Sequence, residues 1–188
     1  MLVDAILTAT AQLLRELGAK AVTTNKVAAR AGVSVGSLYQ YFPNKTALFT
    51  AVAERHALET EQAILPLLDR LAVEPPEELV DTVVEALVAL ERVDAVLHAE
   101  LMRLSLWGQT SGVIQTCRRT FEAHLADLLA RRAADLPRPL DPTATARVLV
   151  RAMGGVFEVC AQEPDEGFDD ALLTETLTRM VAGTLGYS

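Results

Sequence analysis

The chain is poor in aromatic residues, cysteine and histidine, and it has no long uninterrupted apolar run. Aromatic residues make up 5% of its 188 positions, while Ala and Leu abound, a mix that favours helix over strand. No apolar run reaches the roughly 20 residues of a membrane span before Glu, Asp or Arg interrupts it. The opening MLVDAILTATAQLLRELG lacks a basic start, carries Asp4 and keeps helical spacing, so it reads as an amphipathic helix and not as a signal peptide. The expected location is the cytoplasm. The two cysteines, Cys117 and Cys160, fit a reducing compartment as plain buried thiols. His56, His98 and His124 are far apart in sequence. No Ser-His-Asp spacing, phosphate loop or paired catalytic carboxylate emerges, which argues against an enzyme. Cys117 and His124 stand seven apart on one predicted helix, about 10 Å along its axis. That is too far to share one ion through bonds of about 2.0–2.3 Å. There is no Cys-x-x-Cys, and neither a metal nor a cofactor is expected.

Lysine is absent beyond residue 45, and every later basic residue is arginine. The first 50 residues hold five basic groups (Arg15, Lys20, Lys26, Arg30, Lys45) and two acidic ones (Asp4, Glu16), a balance of +3. With −8 overall, the rest of the chain carries −11. A basic head on an acidic body suits a DNA reader whose body repels DNA and leaves contact to the head. Of the residues, 51% are apolar and 22% charged, so there is enough apolar side chain to offset the entropy of ordering.

Apolar spacing and breakers predict nine helices. The first runs from Val3 to Leu17, with Leu2, Ile6, Leu13 and Leu17 on one face, and stops at Gly18. A second begins after Thr23 or Thr24 and ends at Gly32. A third covers Val35 to Phe42. A fourth, capped by Asn44, reaches the Pro66 region. Further helices are expected over 77–92, 94–106 (capped by Asp94), 113–134, 142–161 and 169–185. Loops lie at 107–112 and 136–141, and a turn at 164–167. Asp141 and Pro142 form an N-cap and first helical residue.

The informative stretch is residues 23–49, TTNKVAARAGVSVGSLYQYFPNKTALF. Thr24 is read as the cap of the second helix, with Val27, Ala28 and Ala31 turned toward a small core. Gly32 supplies a left-handed turn, Val33 plugs the angle, and Ser34 caps the third helix. Two short helices joined through a glycine turn make a helix-turn-helix unit, whose second helix presents its N-terminal end to the major groove. On that helix Ser37, Tyr39, Gln40 and Tyr41 offer hydrogen bonds. Gly36 removes bulk, and Val35 can touch a thymine methyl. Gln40 can pair with adenine. Leu38 and Phe42 point back into the core. Pro43 forces a turn, and the next helix opens with Asn44 and Lys45, whose ammonium joins free backbone N–H groups in a phosphate site.

The stretch VTTNKVAARAGVSVGSLYQYFPNKTALF resembles the signature of the TetR family of bacterial repressors. The resemblance implies an all-α homodimer: an N-terminal three-helix DNA-binding domain (1–46) and a C-terminal helical ligand-binding and dimerisation domain (47–188). It implies a repressor that binds a pseudo-palindromic operator and leaves it when a small molecule binds the body. Carried over by position, Thr24, Tyr41 and Lys45 contact phosphate, and Asn25, Val35, Gly36, Ser37, Tyr39 and Gln40 sit at or near the bases and backbone. It also implies pairing through the last two helices. There Gly154-Gly155 permits close approach, and Leu149, Val156, Leu173, Leu177, Met180 and Val181 supply apolar surface.

The body carries no specific motif. Its apolar residues are read first as core and second as lining of a ligand pocket. The pocket candidates are Met102, Trp107, Phe121, His124, Met153 and Phe157, with Glu100 or Glu158 as polar anchors. An apolar body with few aromatics points to a lipophilic effector.

Overall fold

The computed structural model describes residues 2–92, 94–106, 108, 111–162 and 170–187. Among them are nine α-helices and no strand, as the apolar periodicity predicts. The helices gather into two compact units. One holds residues 1–58 and 94–115, the other 59–93 and 116–188.

The first unit is built from α1 (Leu2–Ala21), α2 (Thr24–Ala31), α3 (Val35–Tyr41), the start of α4 (Lys45–Leu71), α6 (Ala95–Leu106) and the opening of α7 (Ser111–Arg131). Its core collects Ile6, Leu14, Val27, Leu38, Phe49, Val52, Leu101 and Leu104, all buried. Ile6 and Leu13 face this core as expected, but Leu2 and Leu17 are exposed. Gly18 breaks α1 with φ +70°, a conformation that residues with a side chain rarely adopt.

Thr23, not Thr24, caps α2: it has extended backbone, and its hydroxyl accepts from Lys26 N–H at 3.3 Å. Thr24 is thereby freed to be the first helical residue. Gly32 closes α2 in the left-handed conformation, its N–H and that of Val33 taking up the carbonyls of Ala29 and Ala28. Ser34 then caps α3, accepting from Ser37 N–H at 2.9 Å. Asn44 caps α4 through Ala47 N–H at 2.8 Å. The fourth helix does not stop near Pro66 but runs through it to Leu71. Proline removes one hydrogen bond, and the buried Ile64 and Leu71 on either side hold the helix to its core.

The second unit contains the rest of α4, a 3₁₀ turn at Pro76–Glu78, α5 (Leu79–Arg92), most of α7, a second 3₁₀ turn at Ala133–Asp135, α8 (Pro142–Gln162) and α9 (Asp170–Leu185). Asp141 caps α8, accepting from Ala144 N–H at 3.0 Å. The core packs Leu79, Val83 and Leu87 of α5 with Phe121, Leu125 and Leu128 of α7, Met153 of α8 and Leu177 of α9. Arg132 is buried, and its guanidinium donates to Leu71 C=O at 2.6 Å and pairs with Asp135. Leu149, Leu177 and Val181, expected on an outward pairing face, lie instead in this core, and Met180 packs against it. Among the described side chains of α8 and α9, the large apolar ones turned outward are Val148 (58% exposed) and Leu172 (59%). Val156 is half-buried and Gly155 exposed. The side chain of Leu173 and the predicted turn at 164–167 lie outside the described residues.

Candidate nucleic-acid interface

The seven residues of α3 divide cleanly between inside and outside. Leu38 is fully buried. Val35 and Tyr39, then Gly36 and Gln40, are i,i+4 pairs and share one outward face. Tyr39 is 47% exposed and Tyr41 50%. A methyl group on Gly36 would meet Ser34 Oγ at 3.7 Å, an ordinary contact, so the fold does not itself demand glycine there. Asn25 is exposed on α2 and Thr24 half-buried. Thr24 Oγ1 and Tyr39 OH share a hydrogen bond of 3.2 Å, which ties the two helices together at the surface. Ser37 and Ser34 hydroxyls are likewise paired, at 2.8 Å. The nine predicted DNA-contacting residues thus fall within one unit, on α2, α3 and the first turn of α4.

Lys45 donates from Nζ to Ala19 C=O at 2.9 Å and lies 5.1 Å from the centre of the Phe49 ring. Partial burial lowers its pKa below the ordinary lysine value. Lys26 donates to Ala21 C=O at 2.9 Å. Both lysines donate to neutral carbonyls. The arginines are instead paired with carboxylates: Arg30 forks onto Glu16 through two hydrogen bonds of 2.9 and 2.7 Å, and Arg15 forks onto Asp94, with Nε 2.8 Å from Oδ2.

Several residues that matter to this unit were invisible in the sequence because their partners are distant along the chain. Asp94 caps α6, accepting from Leu97 N–H at 3.3 Å while it holds Arg15 of α1. Glu100 accepts from Ala19 N–H at 2.8 Å and pairs with Arg103 at 3.0 Å. His56, buried on α4, lies with Nε2 3.1 Å from His98 Nδ1 on α6. The Asp94 cap was legible as a residue type before a helix; the other contacts leave no local signal.

Burial is the largest influence on Asp94 and raises its pKa. The hydrogen bonds from Arg15 and Leu97, with the positive charges of Arg15 and His56, outweigh it and leave the carboxyl below 3.8. An acid whose pKa is depressed by folding stabilises the fold above its unfolded value, and that contribution is lost as pH falls through the lower folded value. Acidification below about pH 4 is therefore expected to loosen this unit. In Asp94→Asn the acid side of the thermal-stability profile becomes shallower. An unchanged profile would show that the fork carries no weight.

The ligand-lining candidates do not gather in one unit. Glu100 and half-buried Met102 belong to the first; Phe121, His124 and Met153 belong to the second. Glu100 has both oxygens engaged, so it is a tether and not an open ligand anchor. Phe121 and Met153 share the core of the second unit, whereas His124 is exposed on α7. Trp107 and the side chains of Phe157 and Glu158 lie outside the described residues.

Residues 6–52 match the family described as bacterial regulatory proteins, tetR family, and residues 75–185 match the tetracyclin repressor-like C-terminal domain. Over 40 residues the chain is 52% identical to the nucleoid occlusion factor SlmA of Actinobacillus pleuropneumoniae, which is 21% of this chain and 20% of that protein. Over 66 residues it is 38% identical to the class A tetracycline repressor from transposon 1721 of Escherichia coli, 35% of this chain and 31% of that one. These matches span from about a fifth to a third of the relatives' length. Among solved structures, the fatty acid degradation regulator FadR of Bacillus halodurans superposes with a TM-score of 0.78 at 20% identity, covering 99% of this chain and 97% of that one. NalD of Pseudomonas aeruginosa, a secondary repressor of a multidrug efflux pump, gives 0.71 at 24% identity, covering 97% and 96%. The two structures share the fold, and the family matches, which together take in most of the chain, carry the assignment: this protein belongs to the TetR family of bacterial regulatory proteins.

Proposed function

We propose that the protein is a ligand-responsive transcriptional repressor that binds a pseudo-palindromic operator as a homodimer and is released by a lipophilic small molecule. The observation that carries this reading is the outward face of α3. Val35, Gly36, Tyr39 and Gln40 stand exposed together above a buried Leu38, behind a glycine turn and a serine cap. DNA reading is assigned to residues 1–46, with Asn25, Val35, Gly36, Ser37, Tyr39 and Gln40 at the bases and backbone. Thr24, Tyr41 and Lys45 take phosphates. Effector binding and pairing are assigned to residues 47–188. The apolar surroundings of Phe121 and Met153 suit a lipophilic effector, and the last two helices pair the subunits. Symmetry supports the pairing, because two recognition helices on successive turns of one groove need centres about 34–36 Å apart. An effector that favours the state with the wrong spacing lowers operator affinity by its preference between the two states.

The direct test is selection of randomised duplex DNA on the purified protein at moderate salt. One inverted repeat is expected, with its recovery lost in Tyr41→Ala. No preferred sequence, with or without extraction of bound small molecules, would sink the reading. The selected duplex also gives a salt dependence. Lys26 and Lys45 donate to neutral carbonyls and not to carboxylates, and two subunits present four such groups. The slope of log affinity against log salt is expected to be about −4, falling by about 2 in Lys45→Ala. A slope of about −7 would mean that the internal arginine pairs open on DNA.

A further inference from the structure

Ala19 is gripped on both sides of its Cα. Its N–H donates to Glu100 Oε2 at 2.8 Å, and its C=O accepts from Lys45 Nζ at 2.9 Å. Gly18 makes this geometry possible. Its φ of +70° turns the chain so that the Ala19 N–H leaves the α1 hydrogen-bond ladder, and a Cβ there would lie 3.4 Å from the same carboxylate oxygen. Glu100 is itself steadied by Arg103 at 3.0 Å, and its side chain is largely buried. All four groups lie in the first unit.

We propose that Glu100 of α6 is a positioning residue for DNA binding: by fixing Ala19, it holds the ammonium of Lys45 in place for a phosphate. An ammonium has three donors, and one is spent on Ala19, leaving two for a phosphate oxygen. A lysine side chain free to sample its rotamers loses that entropy on docking, and a tethered one has lost it already. The tether also gives α6 a direct mechanical route to a DNA-contacting group, through one residue. This inference rests on the phosphate role of Lys45 proposed above.

The experiment is a double-mutant cycle on the selected operator, with affinity read by fluorescence anisotropy at two salt concentrations. Lys45→Ala comes first and tests the underlying reading: it should weaken binding and lower the salt slope. Glu100→Ala is then expected to weaken binding about tenfold in the native background and to have little further effect in Lys45→Ala. Glu100→Gln retains a carbonyl oxygen that accepts from Ala19 N–H, and should bind within about twofold of the native chain. Additive losses from Glu100→Ala and Lys45→Ala would overturn the proposal, as would a Glu100→Gln chain as weak as Glu100→Ala. If Lys45→Ala itself binds normally, the phosphate role fails, whatever Glu100 does. Circular dichroism checks that each variant is folded. Should Glu100→Ala not fold, Gly18→Ala, which strains the turn that delivers Ala19, takes its place in the cycle with the same expected loss.

Discussion

The paired substitution Val148→Asp, Leu172→Asp is expected to produce a folded monomer that binds the operator at least a hundredfold more weakly. Both side chains are large, apolar and more than half exposed in the single chain. Substitution costs the isolated fold little, within about 0.5 kcal/mol at each site. Between two copies the same positions would lose apolar contact and bury carboxylates, which costs several kcal/mol each when unpaired. The effect on DNA is larger than the effect on pairing alone. In a dimer, binding of one head delivers the second at an effective concentration of about millimolar, and a monomer forfeits that gain. Sedimentation velocity reads the mass and anisotropy reads the affinity. A dimer that survives both charges would place the pairing surface elsewhere and remove the support that α8 and α9 give to the symmetric operator.

Leu38→Ala is expected to cost about 2–5 kcal/mol and to abolish operator recognition. Leu38 is the one buried residue of α3 and belongs to the core shared with Phe49 and Leu101. A seven-residue helix is too short to persist on its own propensity, so this contact decides whether the reading face exists. Truncation leaves a cavity lined by residues that cannot all close around it. Tyr39→Phe, by contrast, removes only the surface hydrogen bond to Thr24, and the fold should barely register it. Comparing the two by thermal unfolding separates loss of the scaffold from loss of a contact. A Leu38→Ala chain within about 1 kcal/mol of the native one would mean that α3 is held by something other than its core side chain.

The reading head was legible because its determinants are local. A glycine that must turn left-handed at 32, a serine cap at 34 and a proline at 43 act within one or two turns of where they stand. The reading slipped where a decision depended on neighbours. Thr23 and Thr24 are equivalent as caps on paper, and only the backbone shows that Thr24 is already helical. Leu17 carries the same periodic label as Ile6, yet the end of α1 leaves it outside. Pro66 reads as a stop, but the helix runs through it, because the apolar surface that Ile64, Leu67, Leu68 and Leu71 bury together offsets the cost of the proline. Periodicity shows which face of a helix is covered and never by what. The resemblance points to a partner for Leu149 and Val181, which pack within the chain, and a ligand anchor is expected at Glu100, which reaches back 81 residues to Ala19.

On the proposed function, the arginine forks of the first unit bear on where the protein spends its time. Arg15 and Arg30 are each matched by a carboxylate of the same chain. A head with these charges already answered is expected to hold DNA of arbitrary sequence weakly. A genome offers on the order of 10⁶–10⁹ wrong sites for each right one, and every wrong site competes for the same few molecules. On that reading, internal neutralisation shrinks the reservoir without touching the outward face of α3, and a small number of copies is expected to keep one operator filled.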